Sequence, residues 1–247
     1  YDLSSLRFVA HAAAPVSPPI KRAMIEWWGP VINEYYGSTE MGNVTFCTSE
    51  EWLAHPGTVG KVMPGAAVRV IDKEGRDVPQ GETGEVIGRT LGFGDFTYQN
   101  DPAKRAAMEK AGLITPGDVG YFDEGGFLFL CDRASDMIIS GGVNIYPQEV
   151  ENLLVTHPKV ADVAVVGAPH EEMGEQVVAV IQPAPGVAAD EALAAELMAF
   201  ARENISHVKA PRRVDFMAEL PRHDTGKIYK RLIRDAYWGK ADSKIVA

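Results

Sequence analysis

Between residues 132 and 151 the sequence reads DRASDMIISGGVNIYPQEVE and changes character three times. A charged turn (Asp132, Arg133, Ser135, Asp136) leads into a short apolar strand, Met137, Ile138 and Ile139. A bare Gly141-Gly142 pair follows, then Asn144, and Pro147 opens an acidic helix. Two adjacent glycines between a strand and a helix mean a backbone that bends sharply or is closely approached. The chain divides here. Residues 55–89 alternate apolar and polar positions and are punctuated by Gly and Pro, the pattern of a meander or a small barrel. After Arg133 the pattern predicts a helix over 146–156, strands over 160–166 and 176–183, a helix over 189–204 with Asp190 as its N-cap, and a strand over 213–216. That is a small α+β domain with helices on a sheet. The tail after Gly239 reads as frayed.

Composition sets wide bounds. A chain of 247 residues makes one large domain or two, and 46% hydrophobic content is enough to bury a core. No apolar run is long enough to span a membrane. No signal peptide is evident, and residue 1 falls inside what reads as folded sequence. Two cysteines, Cys47 and Cys131, are too few for a disulfide framework, so a reducing, cytoplasmic setting is the default. The net charge of −10, without a dense basic patch, argues against nucleic acid as a partner.

Three further segments share the chain with the glycine pair: YYGSTE at 35–40, TPGDVGYFDEGGFL at 115–128, and PRHDTGK at 221–227. In that order, with Arg133 between the last two, they resemble the adenylate-forming superfamily of acyl-CoA synthetases and related AMP-dependent ligases. The GGVNIYPQEVE and HEEMGEQVVAV segments look most like ligases of fatty or aryl acids. The resemblance implies two steps. A carboxylate attacks the α-phosphate of ATP, giving an acyl-adenylate and pyrophosphate. The thiol of coenzyme A then displaces AMP to give a thioester.

The resemblance also implies roles. Lys227 looks like the catalytic lysine that neutralises charge on the reacting phosphate. On its own, 224–227 is equally a surface turn with a solvated lysine. Glu40 looks like the Mg²⁺ ligand; by itself it reads as an exposed acid at a helix start. Tyr35, Tyr36, Gly37, Ser38 and Thr39 match the adenine and phosphate motif, with Tyr36 offering a flat face and Gly37 leaving room. Neighbours on a strand face opposite ways, so one tyrosine belongs to the core, and Tyr35 fits that place better. Asp118 looks like the ribose-binding aspartate, against an Asp-Val-Gly turn. Arg133 looks like the arginine that reaches ribose or phosphate, against a domain-interface salt bridge. Ala13 and Ala14, with Ala12, resemble a small-residue loop beside adenine, where the family often has glycine. Ser135 falls at the hinge about which the small domain turns between the two steps; the family usually has Asp or Lys there. Gly141 and Gly142 would line the tunnel for the coenzyme A arm, against a plain turn.

One family feature has no counterpart: the Gly/Ser/Thr-rich, Lys-containing phosphate loop. Residues 6–20 resemble the strand and loop just before the aromatic motif. The expectation is therefore the C-terminal half of a family member. Residues 1–132 would be the end of the large adenylation domain, a mixed α/β remnant with a small β-barrel-like subdomain from about 55. Residues 133–247 would be the small α+β C-terminal domain. The expected partners are a carboxylic acid, coenzyme A and the missing N-terminal half, and exposed apolar surface would favour a homo-oligomer. Two alternatives stay open: a non-catalytic nucleotide-binding or interaction module, and a carrier-protein thiol as acceptor.

Overall fold

In the computed structural model, which describes residues 1–224 and 226–239, the periodicities of the sequence become two units with separate cores, Tyr1–Ala134 and Ser135–Ala247. Thr225 of the 221–227 motif and the tail expected to fray lie outside the described residues.

The first unit runs β1 (Val9–His11), α1 (Pro18–Trp28), β2 (Ile32–Ser38), β3 (Gly42–Cys47), α2 (Ser49–Ala54), β4 (Thr58–Val62), β5 (Ala66–Ile71), β6 (Gly84–Thr90), α3 (Pro102–Ala107), β7 (Glu109–Lys110), β8 (Leu113–Ile114), β9 (Asp118–Phe122) and β10 (Leu128–Arg133). Its helices start where short-range chemistry dictates. Thr48 and Glu51 form a reciprocal capping box at α2, and Asp101 accepts from Lys104 N at α3. The strands form a single sheet in the order β1-β2-β3-β4-β10-β9-β6-β8-β7, with β5 on β6. Only β1 and β2 are parallel. The barrel expected from residue 55 onward is thus an open sheet among the described residues. β4 and β5 follow each other in sequence but do not pair. β4 joins β10, with Thr58 opposite Phe129, while β5 returns on β6, with Ala66 opposite Thr90. One core gathers Tyr36, Met41, Val44, Val59, Val86 and Leu128. Another, beneath α1 and α2, holds Ile25, Ile32, Cys47 and Trp52.

The second unit runs β11 (Ile138–Ser140), β12 (Val143–Ile145), α4 (Pro147–Leu154), β13 (Val160–His170), β14 (Gly174–Pro183), α5 (Glu191–Asn204), β15 (Arg213–Phe216) and α6 (Lys230–Tyr237). The strand order is β12-β11-β14-β13, with β15 parallel on β14. Val163, Val165, Val177, Ala179 and Ile181 face a core shared with α4 and α5, while Ala164, Val166, Val178 and Val180 cluster with Leu220 and with Ile233 on α6. A sheet covered on both faces reads as an unbroken apolar run, as 163–166 and 177–181 do. Fully buried side chains such as Ile181 contribute about 1.5–3 kcal/mol each.

Boundaries move by a few residues. α4 stops at Leu154, and α5 begins after Asp190, whose carboxylate accepts from Leu193 N at 2.9 Å. β13 runs on to His170 through Pro169, which is tolerated because β13 pairs only with β14 among the described strands. One expectation is corrected outright: the glycine pair does not join strand to helix. It turns β11 into β12, with Ser140 opposite Val143, and the helix begins only afterwards.

Candidate functional site

YYGSTE forms the end of β2 and the turn into β3. Strand alternation settles the tyrosine pair against expectation. Tyr36 faces the core, 9% exposed, and Tyr35 is the half-buried neighbour on the other face. The Tyr36 hydroxyl donates to Asp118 Oδ2 at 2.7 Å. Burial first, and then the Asp118 carboxylate, push the phenol's pKa far up, with Arg133 opposing, so the hydroxyl stays a donor. The room expected at Gly37 is filled by the chain itself: a Cβ there would lie 2.2 Å from Gly42 O across the hairpin. Ser38 Oγ accepts the N–H groups of Glu40 and Met41, both at 3.2 Å, closing the turn, and Thr39 is exposed.

Glu40 lies in this turn and not at a helix start. Its Oε1 accepts the Tyr98 hydroxyl at 2.7 Å. Burial works against its charge, but hydrogen bonds from Tyr98 and Ser38, with Lys104 nearby, outweigh it and hold the carboxyl below the usual range. Burial and the same hydrogen bond push the Tyr98 phenol up to about 12. Lys104 Nζ stands 4.0 Å over the Tyr98 ring. Among the described residues no three His, Cys, Asp or Glu side chains converge as a metal cage. Glu40 therefore fits magnesium in its nucleotide mode only, where a single carboxylate suffices because phosphates and water complete the shell.

Asp118 opens β9 directly opposite Arg133 at the end of β10, so antiparallel pairing sets the two side by side. Arg133 Nε lies 3.6 Å from Asp118 Oδ1. The arginine's ion pair is thus inside the first unit, and the aspartate is the first residue of a strand, with the turn before it at Gly117. Tyr36, Asp118 and Arg133, separated by up to 97 positions (133 − 36), come together. Ala13 and Ala14 follow β1, and Ala13 has φ +74°, a conformation that favours glycine.

Two features escaped the sequence. Tyr98 reaches Glu40 from 58 positions away. Lys21, 1% exposed, forms a buried ion pair with Glu34, and His11 Nδ1 lies 3.5 Å from the other carboxylate oxygen. Burial works against the Glu34 charge, but His11 and Lys21 outweigh it and lower its pKa. A signal existed: Lys21 shares the helix stripe of Ile25 and Trp28, at i, i+4 and i+7.

In the second unit, Lys227 leaves a braced turn. His223 N donates to Lys227 O and Gly226 N to His223 O, both at 2.8 Å, and Arg222 donates to Gly226 O at 2.7 Å. Gly226 adopts φ +85°, which lets the turn close. The Lys227 side chain is half-buried, with no ion pair or hydrogen bond among the described residues. Gly141 and Gly142 have φ +57° and +81°, the paired positive values of a two-residue hairpin turn. A Cβ on Gly141 would lie 2.6 Å from Met173 Cε, whereas one on Gly142 would meet nothing within 4 Å. Ser135 donates from Oγ to Asp136 Oδ1 at 3.1 Å, and its carbonyl accepts from Arg234 at 2.8 Å.

Residues 1–92 match the family model of the AMP-binding enzyme, and residues 149–227 match that of the AMP-binding enzyme C-terminal domain. The chain belongs to the AMP-binding enzyme family. Among its relatives in this family is the fatty acid–[acyl-carrier-protein] ligase ScoC of Streptomyces coeruleorubidus, 36% identical over 99% of this chain and 47% of the relative. The indoleacetate–CoA ligase of Aromatoleum aromaticum is 37% identical over 94% and 45%. Among solved structures, the amide bond synthetase McbA of Marinactinospora thermotolerans superposes with a TM-score of 0.84 at 35% identity, covering 96% of this chain and 48% of that one. The chain thus spans about half the length of the relatives it matches. Over the part that superposes, the amide bond synthetase shares the mixed α/β architecture described above.

Proposed function

We propose that the protein takes part in ATP-dependent activation of a carboxylic acid to an acyl-adenylate, followed by transfer of the acyl group to the thiol of coenzyme A, with a fatty or aryl acid as substrate. The observation that carries this reading is the convergence of Tyr36, Asp118 and Arg133, positions singled out by the sequence resemblance and linked by the fold through Asp118. Tyr36 holds one Asp118 oxygen, which fixes the carboxylate for the paired hydroxyls of a ribose. Arg133, 60% exposed, keeps its guanidinium at the surface, where its fork can take a phosphate or ribose oxygen. Glu40, kept ionised, would hold magnesium, which supplies charge neutralisation at the phosphates. Lys227, without a partner among the described residues, is the cation for the charge that builds on the α-phosphate oxygens as the acid attacks.

The acceptor is the least constrained part. A relative named for an acyl-carrier protein and a structural neighbour named for amide bonds, at 36% and 35% identity, support a second reading in which the adenylate passes to a carrier thiol or an amine. The test is pyrophosphate release by the full-length protein with ATP, Mg²⁺ and a panel of carboxylic acids, followed by product analysis with coenzyme A, a carrier protein or an amine. Acid-dependent release that falls at least 100-fold in Lys227→Ala, about 2.7 kcal/mol of transition-state stabilisation, is the expected result. Release indifferent to Lys227, or absent with every acid, would leave a fold used for binding alone.

A further inference from the structure

The junction of the two units is held on both sides. Ala134 N–H donates to Gly117 O at 2.8 Å, inside the first unit. Gly117 N in turn donates to Thr115 Oγ1 at 3.0 Å, so this acceptor is itself fixed. On the other side the Ser135 carbonyl accepts from the Arg234 guanidinium at 2.8 Å, inside the second unit. Arg234 sits on α6, and α6 is firmly seated. Ile233 is 1% exposed, Lys230 pairs with Glu151 at 2.8 Å, Tyr237 donates to Asp215, and Trp238 Nε1 donates to Gly167 O at 2.9 Å.

A hydrogen bond to a peptide N–H or C=O fixes the whole peptide plane, because the bond between C and N does not rotate. The plane entering Ala134 is therefore held by the first unit, and the plane leaving Ser135 by the second. Between them lie four torsions, φ and ψ of Ala134 and of Ser135. Any reorientation of one unit that preserves both hydrogen bonds is confined to those four. The side chain at 135 takes no part in the clamp, because Arg234 reads the carbonyl. The serine, unusual for its family position, is thus compatible with a defined pivot.

We infer that Arg234 is a positioning residue that clamps the carbonyl of Ser135 and, with the Ala134–Gly117 hydrogen bond, reduces the joint to a two-residue pivot. Its consequence for turnover rests on the proposed two-step reaction; the clamp itself does not.

The test is limited tryptic cleavage of the 247-residue chain after Arg133, with fragments identified by mass, for the unmodified protein, Arg234→Ala and Arg234→Lys. A protease needs the chain around the scissile bond extended, so cleavage reports release of the clamp. Loss of one partly exposed charge-assisted hydrogen bond predicts cleavage of Arg234→Ala faster by roughly three- to tenfold. Arg234→Lys, which keeps a cationic donor, recovers most of the protection. Hydrogen exchange in β13 and β14 stays unchanged. Equal cleavage in all three proteins overturns the inference. So does faster cleavage accompanied by faster exchange across β13 and β14, which marks undocking of α6. In the full-length protein, Arg234→Ala then shifts the ratio of thioester formed to pyrophosphate released. If no acid supports pyrophosphate release, the functional reading fails while the cleavage result still decides the clamp.

Discussion

At Tyr36 two demands fall on one side chain: its ring fills a core and its hydroxyl steadies Asp118. Tyr36→Phe separates them. The ring stays, the donor goes, and a partly buried acceptor loses one partner, at a cost of about 1 kcal/mol in unfolding free energy by urea denaturation. The pH dependence carries a sharper signature. Because the folded phenol's pKa is raised above its ordinary value of 10.0, its stabilisation is fully present below pH 10 and is lost as pH rises beyond it, where only the unfolded chain ionises. Tyr36→Phe should therefore show a shallower loss of stability above pH 10 than the parent. An unchanged alkaline limb would mean that Tyr36 is not the buried phenol responsible. The residue types of this site were legible from YYGSTE and the Asp118 segment, because motif chemistry is local. Which tyrosine faces the core was not, because the phase of β2 is set by its pairing with β3 and the sheet beneath it. Tyr98 was invisible for a related reason. Nothing near it in sequence points to Glu40, and the contact exists only once α3 and its preceding loop fold back.

Among the elements, the β11–β12 hairpin offers the cleanest comparison. Gly141 and Gly142 share positive φ, but only Gly141 is also packed against Met173. Gly142→Ala should cost about 1–2 kcal/mol, the left-handed penalty alone. Gly141→Ala should cost more, and Met173→Ala should recover the excess. A thermal-denaturation cycle across the parent, Gly141→Ala, Met173→Ala and their double variant, with Gly142→Ala beside it, tests this, and equal costs at 141 and 142 would remove Met173 from the account. The sequence exposed the glycines but hid the hairpin, since the strands on either side are three residues each, too short for a period to register. The strands of the second unit were legible because β13 and β14 are adjacent in sequence and apolar on both faces. The barrel expected in the first unit failed because its pairings are remote. Thr58 meets Phe129 across 71 positions, 129 − 58, and alternation says which residues point inward without saying which strand lies alongside.

Taken as a whole molecule, the chain carries apolar clusters confined to Tyr1–Ala134 or to Ser135–Ala247, so each unit has its own reason to stay folded. Ile181→Ala, which removes a fully buried side chain from the second, should cost about 2–5 kcal/mol there. Calorimetry should resolve a transition that falls with this substitution, while tryptophan fluorescence read in a Trp238→Phe background, where the remaining tryptophans, Trp27, Trp28 and the buried Trp52, all lie in the first unit, keeps its midpoint. A common shift of both signals would show that the units melt together. The buried pair of Lys21 and Glu34 has a consequence on a longer timescale. Neutralising either partner alone strands the other charge in the interior, at about 3–5 kcal/mol, whereas exchanging both for apolar groups of similar volume is close to neutral. A lineage carrying this pair sits beside a comparably stable sequence that it reaches only by crossing a valley, so the two positions are inherited as one character.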